Sequence, residues 1–132
     1  SRIGTKYLNY GFGFGGPCFP RDNRAFAAYA SKAGVETPLG ATTDKFNDEH
    51  TEFLKEYFIN KNKDNRAYVF HYLTYKDGVD ILTESRPYDL ALSLLDAGYE
   101  VYCLDSTIKD KVDSRIKFSD FPTMDNVLYV NL

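Results

Sequence analysis

Ala67-Tyr68-Val69-Phe70-His71-Tyr72-Leu73 is the stretch that most narrows what this chain can become. Aromatic and β-branched residues dominate it, and apolar side chains fall on both faces. A strand with one wet face would alternate. A run apolar on both sides belongs in a parallel sheet covered by helices. The residues that follow complete the pattern. Thr74 to Glu84 is a polar loop, Ser85 suits a helix N-cap and Pro87 its first turn. Tyr88, Ala91, Leu92 and Leu95 carry the helix to a stop at Gly98. Tyr99 to Leu104 reads as a second strand. Asn126 to Asn131 reads as a third, after an irregular segment with a short helix near Phe118–Phe121. Strand, helix, strand makes a βαβ unit with a right-handed crossover. The expected fold class is therefore α/β, a small parallel Rossmann-like sheet with flanking helices. His71, inside the first strand, reads as structural.

The upstream half is helical. A helix begins just after Pro20, with Asp22 and Asn23 in its first turn, and Gly34 ends it. Pro38-Leu39-Gly40 reads as a turn. A long amphipathic helix follows, about Thr43 to Ile59, with Phe46, His50, Phe53, Leu54, Tyr57 and Phe58 at helical spacing. Lys61 to Arg66 is a charged connector. Residues 1–17 read as loop. A compact domain seldom opens on so long an irregular segment unless it is bound to something, which is a first sign of a fragment.

Composition removes several function classes. At 132 residues one domain is expected, and 43% apolar residues suffice for one core. A net charge of −3 argues against a nucleic-acid binder. No apolar run approaches a membrane span and the first residues lack a signal-peptide pattern, so no membrane association is expected. Two cysteines, Cys18 and Cys103, make neither a disulfide framework nor a zinc set. Reduced thiols point to the cytoplasm.

Cys18 stands out before any comparison. Gly15, Gly16 and Pro17 ahead of it can hold a sharp exposed turn. Pro20 then opens a helix, and a helix N-terminus favours thiolate. Arg21 is close enough to add positive charge. A thiolate attacks carbonyls or disulfides, and Asp22 could orient a water or accept a proton. The plainer alternative is a buried cysteine in a tight turn. Neither His50 nor His71 sits in a motif that pairs it with a thiol. The glycine run Gly11-Phe12-Gly13-Phe14-Gly15-Gly16 is not the dinucleotide fingerprint, since no strand precedes it. It reads as a loop whose bare backbone can approach a ligand, or as a disordered one.

Thr74 to Glu84 leaves the first strand at its C-terminal end, where open parallel sheets bind ligands. The helix from Ser85 aims free N–H groups into that crevice, as suits a phosphate. Lys76 could neutralise a diphosphate; Asp77, Asp80 and Glu84 share the loop, and a solvated mixed-charge loop is the plainer reading. Without a glycine fingerprint the sheet gives no support for NAD binding, and Asp105 at the end of the second strand is a weak ribose candidate.

Three segments carry a resemblance. Gly13-Phe14-Gly15-Gly16-Pro17-Cys18-Phe19-Pro20-Arg21-Asp22 resembles the active-site segment of the UDP-glucose/GDP-mannose dehydrogenase family. Tyr75-Lys76-Asp77-Gly78-Val79-Asp80-Ile81-Leu82-Thr83-Glu84-Ser85 resembles that family's loop opening its C-terminal domain. Arg2-Ile3-Gly4 stands at the expected distance before the cysteine. Order and spacing agree, and the resemblance covers nearly the whole chain, most closely the C-terminal part of UDP-glucose 6-dehydrogenases.

The resemblance implies two parts: residues 1–62 as the end of a central region, and 63–132 as a UDP-sugar-binding α/β domain. NAD is then a cofactor bound by an N-terminal domain absent here, and the full-length enzyme is a homodimer. The implied reaction oxidises UDP-glucose to UDP-glucuronate with two NAD, through a thiohemiacetal and a thioester on Cys18. Asp22 would position or deprotonate the hydrolytic water. Tyr7, Asn9, Gly13, Gly15, Gly16 and Lys76 would line the UDP-sugar site, and Arg2 would reach the neighbouring subunit's substrate. Arg21 stands where the family usually has lysine, Thr83 where it has arginine, and Leu132 where an arginine is expected. GDP-mannose is the runner-up substrate. A non-catalytic nucleotide-sugar-binding or dimerisation module, and a thiol redox protein, are the alternatives.

Overall fold

The computed structural model describes residues 4–5, 9–119 and 126–132. Two helices lead. α1 spans Phe19–Lys32 and α2 spans Pro38–Lys61. Then come β1 (Ala67–Phe70), α3 (Arg86–Asp96), β2 (Val101–Cys103), a 3-10 helix (Ser106–Lys111), β3 (Lys117–Phe118) and β4 (Val127–Tyr129). The four strands form one all-parallel sheet in the order β3-β2-β1-β4. Tyr68 pairs with Val101 on one side and Leu128 on the other. The order runs outward in both directions from β1, so the crevice at the C-terminal ends of β1 and β4 is the topological switch point.

The expected α/β class is therefore what the chain forms, with adjustments that have local causes. β1 ends at Phe70 rather than Leu73; His71 lies just beyond it, exposed, its ring 5.8 Å from that of Tyr129. β3 occupies Lys117–Phe118, inside the segment read as irregular with a short helix near Phe118–Phe121. Two residues carry no periodicity, so pairing to β2 alone creates this strand. Residues 120 and 121 of that expected helix lie outside the described residues. α2 begins at Pro38, not Thr43: the proline sits in its first turn, and Asn23 Nδ2 donates to Gly40 O at 2.7 Å. Both expected helix stops are real. Val35 N donates to Ala30 O (2.9 Å) and Tyr99 N to Leu94 O (3.1 Å), each closing a turn around a glycine of positive φ.

One expectation about α2 is corrected. Its inward face is Asn47, Thr51, Leu54 and Phe58. Phe46, Phe53 and Tyr57 are exposed, at 67%, 59% and 45%. Helical spacing admitted either stripe; contacts with the glycine loop and the sheet select the one rotated away from the aromatics. Leu54 and Phe58 enter the same core as Tyr68, Phe70, Leu90, Leu94, Val101 and Leu128. The Tyr68 hydroxyl donates to Phe58 O at 2.9 Å, tying the C-terminal end of α2 to the central strand. No helix among the described residues is long and apolar enough to cross a membrane.

Leu94→Ala should cost about 2–5 kcal/mol, because the side chain is fully buried between α3 and the sheet. Urea unfolding should show a lower midpoint with an unchanged slope. Burial also pushes the Cys103 thiol up from 9.0 to about 11. A raised folded value means stability present below the unfolded value and lost as pH rises through the folded one. The unfolding midpoint should therefore fall between pH 9 and 11, and Cys103→Ala should flatten that fall.

Candidate active site

Cys18 is the N-cap residue of α1. Its carbonyl accepts Asp22 N–H at 2.8 Å, while its side chain is exposed and unbridged. The residue thus stands at the helix end whose free N–H groups carry partial positive charge, with no hydrogen bond from its side chain to them. Beside it Arg21 Nε reaches Asp22 Oδ1 at 2.7 Å. The Arg21 guanidinium is held above its ordinary value by the hydrogen bond to Asp22, then by the charges of Asp22 and Cys18. Both partners of the pair are well exposed, so water screens it and it can open cheaply.

The turn presenting Cys18 is clamped from two sides. From α2, Asn47 bonds both backbone groups of Phe14: Phe14 N donates to Oδ1 (3.0 Å) and Nδ2 donates to Phe14 O (2.8 Å). His50 Nε2 donates to Gly11 O at 2.8 Å. Phe12 inserts its ring against Phe70 (6.5 Å between centroids) and Tyr72 (6.4 Å). From the sheet side, Gly16 N donates to Glu84 O at 3.3 Å. A Cβ at Gly15 would meet Glu84 O at 2.1 Å, and one at Gly16, where φ is +83°, would meet the Tyr75 ring at 2.6 Å. Glycine is required there because two backbones and a ring meet without room for a side chain.

The strand-end loop is itself tied down. Glu84 takes Arg24 of α1 through Nη1 at 2.7 Å and Nη2 at 3.4 Å, and Arg24 Nε reaches Asp44 of α2 at 2.7 Å. These two carboxylates raise the Arg24 guanidinium above its ordinary value. Asp80 pairs with Lys111 at 2.6 Å, and its carboxyl is lowered by that partner. Ser85 is the N-cap residue of α3, as expected, but its hydroxyl donates to Leu73 O at 2.6 Å rather than bonding a backbone N–H of the helix. Lys76 is exposed, with Nζ 5.6 Å from the centre of the Tyr75 ring.

Of the residues singled out from sequence, Gly13, Gly15, Gly16 and Cys18 share the glycine segment, Asp22 follows in the first turn of α1, and Lys76 adjoins Tyr75, on which the segment packs. Asn9 and Gly13 line a groove of about 610 Å³ with Phe14, Asn47 and His50. Arg2 and Tyr7 lie outside the described residues. Asn47, Glu84 and Arg86 were not anticipated as holders of the loop; the one available signal for Asn47 was an amide within a long amphipathic helix. No grouping of three metal-ligating side chains exists among the described residues. These residues also do not fit NAD. The loop after β1 has one glycine, Gly78, and a Cβ there would meet nothing within 4 Å, so no backbone cradle forms. Asp105, the ribose candidate, is occupied in capping the 3-10 helix through Thr107.

Gly15→Ala should cost about 1–3 kcal/mol, since the obstacle is a backbone carbonyl that cannot swing away. Gly40→Ala, whose nearest neighbour is the Asn23 side chain at 3.3 Å, should cost less. Paired thermal melts of the two variants check the order.

Residues 1–49 match the model for the UDP-glucose/GDP-mannose dehydrogenase family, central domain. UDP-glucose 6-dehydrogenase AglM of Haloferax volcanii is 34% identical over 125 residues, covering 92% of this chain and 28% of the relative. GDP-mannose 6-dehydrogenase of Pseudomonas aeruginosa is 33% identical over 107 residues, covering 81% and 24%. Among solved structures, GDP-mannose dehydrogenase from Pseudomonas aeruginosa in a ternary complex superposes with a TM-score of 0.70 at 31% identity, over 81% of this chain and 24% of that one. UDP-glucose dehydrogenase from the hyperthermophilic archaeon Pyrobaculum islandicum gives 0.72 at 28% identity, over 98% and 29%. The chain spans about a quarter of the length of these relatives. With the cysteine turn, both leading helices and the parallel sheet all accounted for by such matches, the chain belongs to the UDP-glucose/GDP-mannose dehydrogenase family.

Proposed function

We propose that these 132 residues are the C-terminal part of a nucleotide-sugar 6-dehydrogenase, supplying its sulfur nucleophile and its sugar-nucleotide site. The observation that carries this reading is the exposed Cys18 at the N-terminus of α1, in a turn packed on the loop at the C-terminal end of β1. Residues 1–62 close the central region and 63–132 bind the nucleotide. NAD, the two-electron acceptor, belongs to a domain outside these residues.

The chain's own chemistry is the sulfur step. The Cys18 thiolate adds to the C6 aldehyde carbon of the sugar and the carbonyl oxygen takes a proton, giving a thiohemiacetal. This holds the carbon in place for its second oxidation, after which it is a thioester. Water then breaks the C–S bond, releasing the carboxylate and returning the thiol. Asp22, one turn into the helix, orients that water once its exposed pairing with Arg21 opens. Asn9 and the backbone of Gly13 to Gly16, with Tyr7, line the sugar-nucleotide site, Lys76 meets the diphosphate, and Arg2 reaches across a homodimer.

UDP-glucose is the proposed substrate and GDP-mannose the alternative; relatives of both names are similarly alike. Some family branches acting on UDP-N-acetylhexosamines carry histidine before the cysteine. Pro17 there favours the glucose branch.

Calorimetry should show UDP binding to the chain in preference to GDP and no tight NAD binding. Incubation with UDP-glucose and NAD should produce no NADH; turnover would overturn the assignment of the NAD site to another domain. The full-length enzyme should release two NADH per sugar, and Cys18→Ser should block release of the acid.

A further inference from the structure

Arg86 is the only charged side chain that the described residues bury, at 7% exposure. It sits in the first turn of α3, where the helix dipole opposes a cation and desolvation adds to the cost. Compensation comes from several elements at once. Nη1 lies 2.8 Å from Asp48 of α2 and 3.6 Å from Asp89 of α3. Nη2 lies 3.9 Å from Glu84 of the strand-end loop. Nε donates to Phe14 O at 3.4 Å, the same carbonyl that Asn47 holds.

Two routes run from this guanidinium to the cysteine turn. One is direct, through Phe14, four residues before Cys18. The other passes through Glu84, a non-glycine residue with φ of +51°. Such a backbone persists only where its surroundings over-determine it. Here Arg24 hydrogen-bonds the Glu84 side chain, Arg86 adds its charge from 3.9 Å through a buried Nη2 that makes no hydrogen bond, and the Glu84 carbonyl accepts Gly16 N–H and packs on Gly15. Charge on one side of Glu84 thus sets the carbonyl on which the turn rests.

We propose that Arg86 is a positioning residue for Cys18. Its planar fork sets the turn, and so the place of the sulfur at the α1 N-terminus, from the α/β layer. The proposal rests on the functional reading above and adds a residue to it. Arg86 touches no reacting atom; it acts through Phe14 and Glu84.

The test is the rate of Cys18 alkylation by iodoacetamide across pH 6–10, below the melting transition, with Cys18→Ser as background. In R86Q the rate at pH 7 should fall about two- to fivefold, as the turn lets Cys18 move away from the α1 N-terminus. The pH profile should move up accordingly. R86K should not rescue, because an ammonium cannot span Phe14 O, Asp48 and Glu84 together. D48N, which changes a carboxylate that is itself 61% exposed and so safe to replace, should shift the profile the same way by less. A profile of R86Q superimposed on the unchanged chain, whatever its melting temperature, overturns the proposal. If R86Q does not fold, an unshifted D48N profile overturns it instead. Absence of UDP binding by the unchanged chain would overturn the functional reading separately.

Discussion

Asn47 places a carboxamide against both backbone groups of Phe14, at 3.0 and 2.8 Å, from the buried face of α2. Buried backbone groups must be paired, and this loop has no strand partner to pair with. One amide therefore converts a glycine-rich segment into a fixed part of the fold. Once Phe14 is set, Gly15 and Gly16 have one place to go, against Glu84 O and the Tyr75 ring, and Cys18 follows as the cap of α1. Remove that pairing and the sulfur would stand on a tether rather than on a surface.

The contacts that hold the turn, directly or through Arg86, are polar bonds and one aromatic ring, and they come from both layers. α2 contributes Asn47, Asp48 and His50; the strand-end loop contributes Tyr75 and Glu84; α1 contributes Arg24. Arg24 and Arg86 share Glu84, and each takes a further carboxylate from α2, Asp44 or Asp48. Isolated half-exposed pairs such as Arg24 with Glu84 contribute little. Their value here is geometric, because each joins elements far apart in sequence at one place. The joint fixes where the cysteine turn stands relative to the strand-end loop.

Much of this could be read in advance, for identifiable reasons. β1 was legible because a strand buried on both faces leaves apolar residues at odd and even positions alike. α1 and α3 were legible because proline near the start and glycine past the end are local signals, obeyed locally. Cys18 was legible because a glycine turn followed by Pro20 can do little else but present a residue at a helix end. β3 was not legible, since two residues beside β2 carry no period. The inward face of α2 was misread because two overlapping stripes both satisfied helical spacing, and only contact with the glycine loop distinguishes them.

By itself the sequence determined the leading helices, the central strand, the βαβ unit and the parallel class of the sheet, because each depends on residues near one another in the chain. Tertiary structure alone decided that Asn47 grips Phe14, that Glu84 O excludes a side chain at Gly15, and that Arg86 is buried between Phe14 and Asp48. These pairings span 33, 69, 72 and 38 positions along the chain. Local propensity cannot encode a contact at such separations; it arises only when the core closes and buried polar groups must find partners.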